Sequence, residues 1–275
     1  MDYNSMLNLP DSVKQSKGEG VVIAIVDTGC AAHSAFSNKN IEFYDAATQN
    51  HNGSLVDSST SGHGTSITGI IAGNNLNGSN IVGVAPLADV IVIKATNRNS
   101  INSSFVLQGL TWLLNQAALP HIVNMSFDIA HSDAINSAIL ELTRRGVLVV
   151  AAGQNDGNLY RDEAIFYPAR NELVLGVGAL SQQSYNNPLG VSPRINYVLP
   201  NLLYFSTGKY NDYKNDLKGC SFATAVISAS LALVRASLKT SDNAKVISTF
   251  NSYLSNLNSI QFNQLNIYKN ENARS

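Results

Sequence analysis

An α/β fold in three layers, with helices on both faces of a mostly parallel sheet, is what this chain predicts, and two observations carry the prediction. Short apolar runs rich in Val and Ile recur along the sequence, and stretches with apolar residues at helical spacing lie between them. The first run, Val21-Val22-Ile23-Ala24-Ile25-Val26, is continuous rather than alternating, as befits a central strand covered on both faces. Further runs follow at 41–44, 90–93, 122–127, 147–151 and 174–177, giving six candidate strands. Val106, Leu110, Leu113, Leu114 and Ala117 share one helical face, and Ile135, Ala138, Ile139 and Leu142 share another, with Gly146 closing the second helix. A long helix rich in small residues (Ala223, Ala225, Ala229, Ala232) is expected from Ser221 onward. Residues 1–20 read as a capping segment ending in the turn Lys17-Gly18-Glu19-Gly20. A last helix is expected from Asn243 to Leu257, and Phe262, Leu265 and Ile267 suit an edge strand within a polar tail over 258–275. Nothing in the composition divides the 275 residues, so one domain over 1–275 is expected.

Apolar residues make up 44 % of the chain and charged residues 13 %, against about 25 % charged in an average domain. Asn, Ser, Thr and Gln must therefore carry the surface. A net charge of −1 gives no field to gather nucleic acid or an anionic membrane, so both are disfavoured as partners. No run of 18 apolar residues occurs, and Met1-Asp2-Tyr3-Asn4-Ser5 lacks the basic and apolar parts of a secretion signal. A cytoplasmic location is expected, the alternative being a mature secreted fragment. Cys30 and Cys220 are too few for a disulfide scaffold and read as small buried thiols.

In a parallel sheet, ligands gather beyond the carboxyl ends of the strands. Asp27 follows the first strand directly, although an aspartate there also forms turns. Gly62-His63-Gly64-Thr65-Ser66 opens a helical stretch and sets an imidazole between glycines, a setting that His33, His51, His121 and His131 lack. Gly219-Cys220-Ser221-Phe222-Ala223 sets a serine at the start of the long helix, where a serine is also a common cap. A serine nucleophile needs an imidazole to take its proton and a carboxylate to hold that imidazole. Asp27, His63 and Ser221 supply all three.

These residues resemble the subtilisin-like serine proteases, whose chain order is Asp, His, Ser. Val26-Asp27-Thr28-Gly29, His63-Gly64-Thr65 and Gly219 to Ala223 look like that family's three signatures. His33-Ser34-Ala35-Phe36, Gly83-Val84-Ala85-Pro86, Val123-Asn124-Met125-Ser126 and Tyr167-Pro168-Ala169 extend the likeness over roughly residues 18–240. The resemblance implies a roughly seven-stranded sheet and a serine endopeptidase acting through an acyl-enzyme. It also implies a polypeptide substrate held as an extended strand between the segments near Ser126 and near 99–103, where backbone bonds give affinity and pockets give selectivity. It places Ser126, Phe127, Asp128, Gly153 and Phe166 along that substrate.

The departures shape the expectations. Where the family places an oxyanion-binding asparagine, Val150-Ala151-Ala152-Gly153 leads to Gln154, which is expected to serve; Asn155 after a one-residue shift is the alternative. Phe166 would make the primary pocket shallow, whereas Asp128 and Asp156 at its rim would attract Lys or Arg; as solvated loop residues they would do neither. The family's Thr before the serine is Cys220 here, a second possible nucleophile, and its Pro-His after the signature is Ala225-Val226. Cys30 and Cys220 flank two signatures and so are candidates to approach each other. The loop 74–80 lies where some subtilases bind calcium but holds no carboxylate, so no metal or other cofactor is expected. Many secreted members fold with a prodomain. With only twenty residues before the first strand, either that segment has been removed or the chain folds unaided. Restricted processing of a precursor or leader peptide is the expected activity, and the contrasting reading is an inactive peptide-binding module whose oxyanion site has decayed. An unrelated α/β hydrolase is disfavoured because its Gly-x-Ser-x-Gly elbow and Ser-before-His order are missing.

Overall fold

The computed structural model describes residues 2–4, 7–74, 78–153, 167–180, 194–200, 203–256 and 268–269. In chain order the elements are α1 (Asp11–Lys14), β1 (Val22–Asp27), β2 (Ile41–Asp45), β3 (Asn50–His51), α2 (His63–Ala72), β4 (Asp89–Lys94), α3 (Ser103–Leu114), β5 (Ile122–Met125), α4 (Asp133–Arg144), β6 (Leu148–Ala152), β7 (Val174–Leu180), β8 (Ile195–Pro200), β9 (Tyr204–Thr207), β10 (Tyr213–Leu217), α5 (Cys220–Leu238), α6 (Asn243–Ser252), β11 (Ser255–Asn256) and β12 (Tyr268–Lys269). The main sheet has the order β11-β12-β8-β7-β6-β5-β1-β4-β2-β3. Its seven consecutive strands from β8 to β2 are all parallel. That is the expected architecture; the parallel part has the expected seven strands, and β3, β11 and β12 bring the sheet to ten.

Strand β1 shows why its sequence is apolar throughout. Ile23 and Ile25 face the layer that holds α2 and α5, whereas Ala24 and Val26 face the layer that holds α3 and α4, and all four are fully buried. A strand covered on both faces has no polar side to show. Strand β1 also lies between β4 and β5. The chain builds outward on one side of it and then returns to the other, and such a switch in strand order opens a crevice at the carboxyl end. Asp27 is the last residue of that strand.

Helix α5 runs under the crevice and buries fifteen of its 19 residues, packing on α2 and on strands β5, β6 and β7. By length and composition it could cross a membrane, yet most of it is enclosed in the fold; the alanines and serines that lower its side-chain bulk let several elements approach it at once. Helix α2 is stitched to β9 by Ser66 Oγ to Thr207 O (2.8 Å), Ser206 Oγ to Ser66 O (2.6 Å) and Thr207 Oγ1 to Thr65 O (2.8 Å).

All six candidate strands are present, and three longer elements join them. Strand β8 continues the parallel sheet, while β9 and β10 form a separate two-stranded sheet. The helix expected to reach Leu257 ends at Ser252 with Tyr253 as its cap, Val246 and Phe250 being its buried residues; Leu257 lies outside the described residues. Tyr268–Lys269 pairs antiparallel with β8, and the rest of the expected edge strand lies outside them too.

Candidate active site

Asp27 and His63 meet at the mouth of the crevice. Asp27 is fully buried, and its Oδ1 accepts from the Thr28 N–H (2.7 Å) and from His63 Nδ1 (2.8 Å). A carboxylate can only accept, so Nδ1 carries the proton and neutral His63 keeps Nε2 as an open acceptor. Burial pushes the His63 pKa down. The charge and hydrogen bond of Asp27, with the charge of Asp57 added, overcome that push, Lys214 opposes them, and the net direction is above the ordinary histidine value. The ring leaves 26 % of its side chain exposed and packs beside Phe222 with centroids 5.5 Å apart.

The glycines of both signatures have a steric cause. Gly29 has φ 111°, and a Cβ there would lie 2.0 Å from the Val56 carbonyl oxygen. A Cβ on Gly64 would lie 2.1 Å from the Gly29 oxygen. The loop after Asp27, the segment before His63 and the first turn of α2 thus touch backbone to backbone, which only glycine permits. Asp57, which the sequence reading passed over, sits in that contact and is 3 % exposed.

Ser221 stands in the first turn of α5, after Gly219 at φ 114°. Its Oγ donates to the carbonyl oxygen of Ser126 (2.8 Å), and Ser126 Oγ donates to the carbonyl oxygen of Ser221 (2.8 Å). Beneath this exchange, Asn124 Nδ2 donates to Ser126 Oγ (2.9 Å) and Ser228 Oγ donates to Asn124 Oδ1 (2.9 Å). Asn124 and Ser228 are fully buried, so a hydrogen-bonded file fixes the floor under the serine. A polar asparagine inside the run Ile122-Val123-Asn124-Met125 was the available signal for it. Among the described residues no hydrogen bond joins His63 to Ser221; the hydroxyl rests against Ser126 instead.

The remaining site residues divide three ways. Ser126 (1 % exposed) and Gly153 are buried beside the site's strands, and the Gly153 N–H donates to the Val177 carbonyl (2.7 Å). Phe127 packs its side chain into the apolar layer that holds α3 and α4, and Asp128 is exposed. Gln154, Asn155, Asp156 and Phe166 lie outside the described residues, as do the central residues 75–77 of the loop considered for calcium. Asn99, on the opposite segment expected to flank a peptide, accepts from the Thr60 N–H through Oδ1 (2.8 Å).

Neither Cys30 nor Cys220 is in a disulfide, and both are fully buried. Cys30 belongs to the large apolar layer and Cys220 to a separate small cluster with Ala152 and Ala179. Burial pushes both thiols up to about 12, and a thiol held protonated is a poor nucleophile.

A buried carboxylate, an imidazole oriented by it and a serine hydroxyl at a helix start, set at the crevice of a parallel α/β sheet in the chain order Asp, His, Ser, are the three groups that serine hydrolysis calls on. The chain belongs to the subtilase family of serine proteases: the model of the Subtilase family matches residues 18–252. It is 31 % identical over 229 residues to the thermostable alkaline protease of Halalkalibacterium halodurans (strain C-125), covering 79 % of this chain and 57 % of that protein. It is 33 % identical over 228 residues to subtilisin BL of Lederbergia lenta, covering 79 % and 77 %. The chain therefore spans little more than half the length of the first of these relatives. Among solved structures, the S41 psychrophilic protease superposes with a TM-score of 0.73 at 25 % identity, covering 84 % of this chain and 82 % of that one.

Proposed function

We propose that this chain is a serine endopeptidase in which Ser221 is the nucleophile, His63 the general base and then acid, and Asp27 the group that orients His63 and stabilises its cation. The observation that carries the reading is the 2.8 Å contact between His63 Nδ1 and the buried Asp27, which leaves Nε2 unprotonated beside α5. A peptide enters as an extended strand along 126–128, and its N–H takes the Ser126 carbonyl that Ser221 occupies at rest. The displaced hydroxyl turns to His63 Nε2. Attack on the scissile carbonyl moves the hydroxyl proton to Nε2 and forms a tetrahedral oxyanion. The Ser221 N–H in the first turn of α5 and the Gln154 amide receive its charge. Collapse returns the proton to the leaving amine and leaves an acyl-serine, which water hydrolyses by the same route. Because Phe127 turns its side chain into the core, its part toward a peptide falls to its backbone, and the exposed Asp128 favours a basic side chain at the pocket rim. A substrate path that selects a basic side chain through the exposed Asp128 suits restricted processing of a precursor or leader peptide more than general digestion.

The test is labelling by a fluorophosphonate, which reacts only with an activated serine. Mass spectrometry is expected to find the adduct on Ser221 and nowhere else. A folded protein that resists the probe yet binds peptides would be a binding module instead. For the oxyanion site, Gln154→Ala is expected to lower kcat by about 10²–10³ with KM little changed; an unchanged kcat would transfer the role to Asn155.

A further inference from the structure

We infer that Asp57 is the positioning residue of the general base: its carboxylate gathers three hydroxyls and, with them, the first three N–H groups of α2, so that His63 can face Asp27 in one orientation only. The inference rests on the endopeptidase reading above for its kinetic consequence, although the geometry stands without it.

The contacts form a closed set. Asp57 Oδ1 accepts from Thr28 Oγ1 (2.8 Å), the Ser59 N–H (3.0 Å) and Ser59 Oγ (2.9 Å), and Oδ2 accepts from the Thr65 N–H (2.9 Å) and Thr65 Oγ1 (2.8 Å). Each of those hydroxyls is also an acceptor. Ser59 Oγ receives the His63 N–H (3.1 Å), Thr28 Oγ1 receives the Gly64 N–H (2.9 Å) and Thr65 Oγ1 receives the Ala31 N–H (2.9 Å). A helix leaves its first four N–H groups without intrahelical partners, and Gly62, the residue at the cap position, has no side chain to satisfy them. Asp57 and its hydroxyls satisfy those of His63, Gly64 and Thr65. Thr28 neighbours Asp27, so one carboxylate fixes the backbone of both partners in the Asp27–His63 contact.

No lysine, arginine or histidine pairs with Asp57 among the described residues. Its charge is balanced by five hydrogen bonds and by the positive end of α2. A neutral amide of the same shape has one acceptor oxygen where the carboxylate has two, and its NH₂ would face donors. The charged groups that face His63 are Asp27 at the end of β1, Asp57 in the segment before α2 and Lys214 on β10. The two carboxylates favour the imidazolium and the lysine disfavours it.

Because the base must be neutral to act, kcat/KM rises with pH through the free-enzyme pKa of His63. Asp57→Asn removes one upward push, so the acid limb is expected to move to lower pH, and Lys214→Gln is expected to move it to higher pH. At the plateau, Asp57→Asn is expected to lower kcat on the order of 10²-fold with KM little changed, the cost of a misplaced base. His63 is also titrated by NMR in both variants, a readout that needs no turnover and so separates failure of this inference from failure of the protease reading. Downward movement of the His63 titration in Asp57→Asn supports the inference; an unmoved titration, with activity falling only in step with the folded fraction, overturns it. Should Asp57→Asn fail to fold, Ser59→Ala keeps the carboxylate and cuts its link to the His63 N–H. A kcat loss of about tenfold or more at unchanged KM then supports the inference, and an unchanged kcat overturns it.

Discussion

Alanine at position 221 is expected to leave a folded protein whose peptide hydrolysis has fallen by about 10⁶-fold, the order seen in subtilisin when the nucleophile or base of its triad is removed. The size follows from the roles. Without an oxygen to attack there is no acyl-enzyme, and neither His63 nor Asp27 has a proton transfer to assist; only binding and oxyanion stabilisation remain. The neighbouring Cys220 does not substitute, since it is fully buried and its thiol is pushed up to about 12. The fold has little to lose: among the described residues the Ser221 side chain makes one hydrogen bond, to the Ser126 carbonyl, worth about 1 kcal/mol net. Single-turnover assays on an unlabelled peptide library, read with a thermal melt of each protein, check this. Cleavage within about tenfold of the wild type would remove Ser221 from the nucleophile's place. The same variant frees the Ser126 carbonyl for a peptide N–H, so substrate is expected to bind at least as tightly as to the wild type, with a dissociation constant measurable at equilibrium.

Residues whose role follows from chain position were legible in the sequence, and residues whose role follows from three-dimensional convergence were not. Asp27 ends an apolar run and His63 sits between two glycines, and both patterns are local. The seven parallel strands were legible except β8, where Ile195-Asn196-Tyr197-Val198-Leu199-Pro200 mixes a polar residue and a closing proline into a short run. Strand β10, Tyr213-Lys214-Asn215-Asp216-Leu217, carries Lys, Asn and Asp, which are poor in strand preference, and none of its residues is buried; pairing with β9 forms it, and that pairing is tertiary. Asp57 shows the limit most clearly. Its neighbours Val56-Asp57-Ser58-Ser59-Thr60-Ser61-Gly62 read as a solvated loop by every local rule. It is buried only because Gly29 and Gly64 let three backbones touch, and that contact lies in the fold.

The substitution Asp27→Asn is expected to lower kcat by about 10⁴-fold while sparing the fold, a consequence of tautomer choice. Asp27 Oδ1 accepts two hydrogen bonds, from Thr28 N–H and His63 Nδ1, and Oδ2 is buried with no hydrogen-bond partner among the described residues. An asparagine that keeps its oxygen toward Thr28 and His63 must bury an NH₂ where Oδ2 now lies, leaving two donors unsatisfied at a cost of about 1–3 kcal/mol for the buried group. Turned the other way, the NH₂ opposes the Thr28 N–H and donates to His63 Nδ1. That orientation moves the imidazole proton to Nε2, which then cannot take a proton from Ser221. In either orientation the imidazolium formed during attack loses the adjacent negative charge. Asp27 also supplies the largest upward push on His63, so its loss moves the acid limb of kcat/KM to lower pH even as the plateau collapses. A pH series of kcat/KM on the variant distinguishes this from misfolding, which would scale the whole profile down without moving the limb. Heteronuclear NMR of His63 in the variant should place its proton on Nε2. A proton still on Nδ1 together with near-wild-type turnover would show that Asp27 does not control the base.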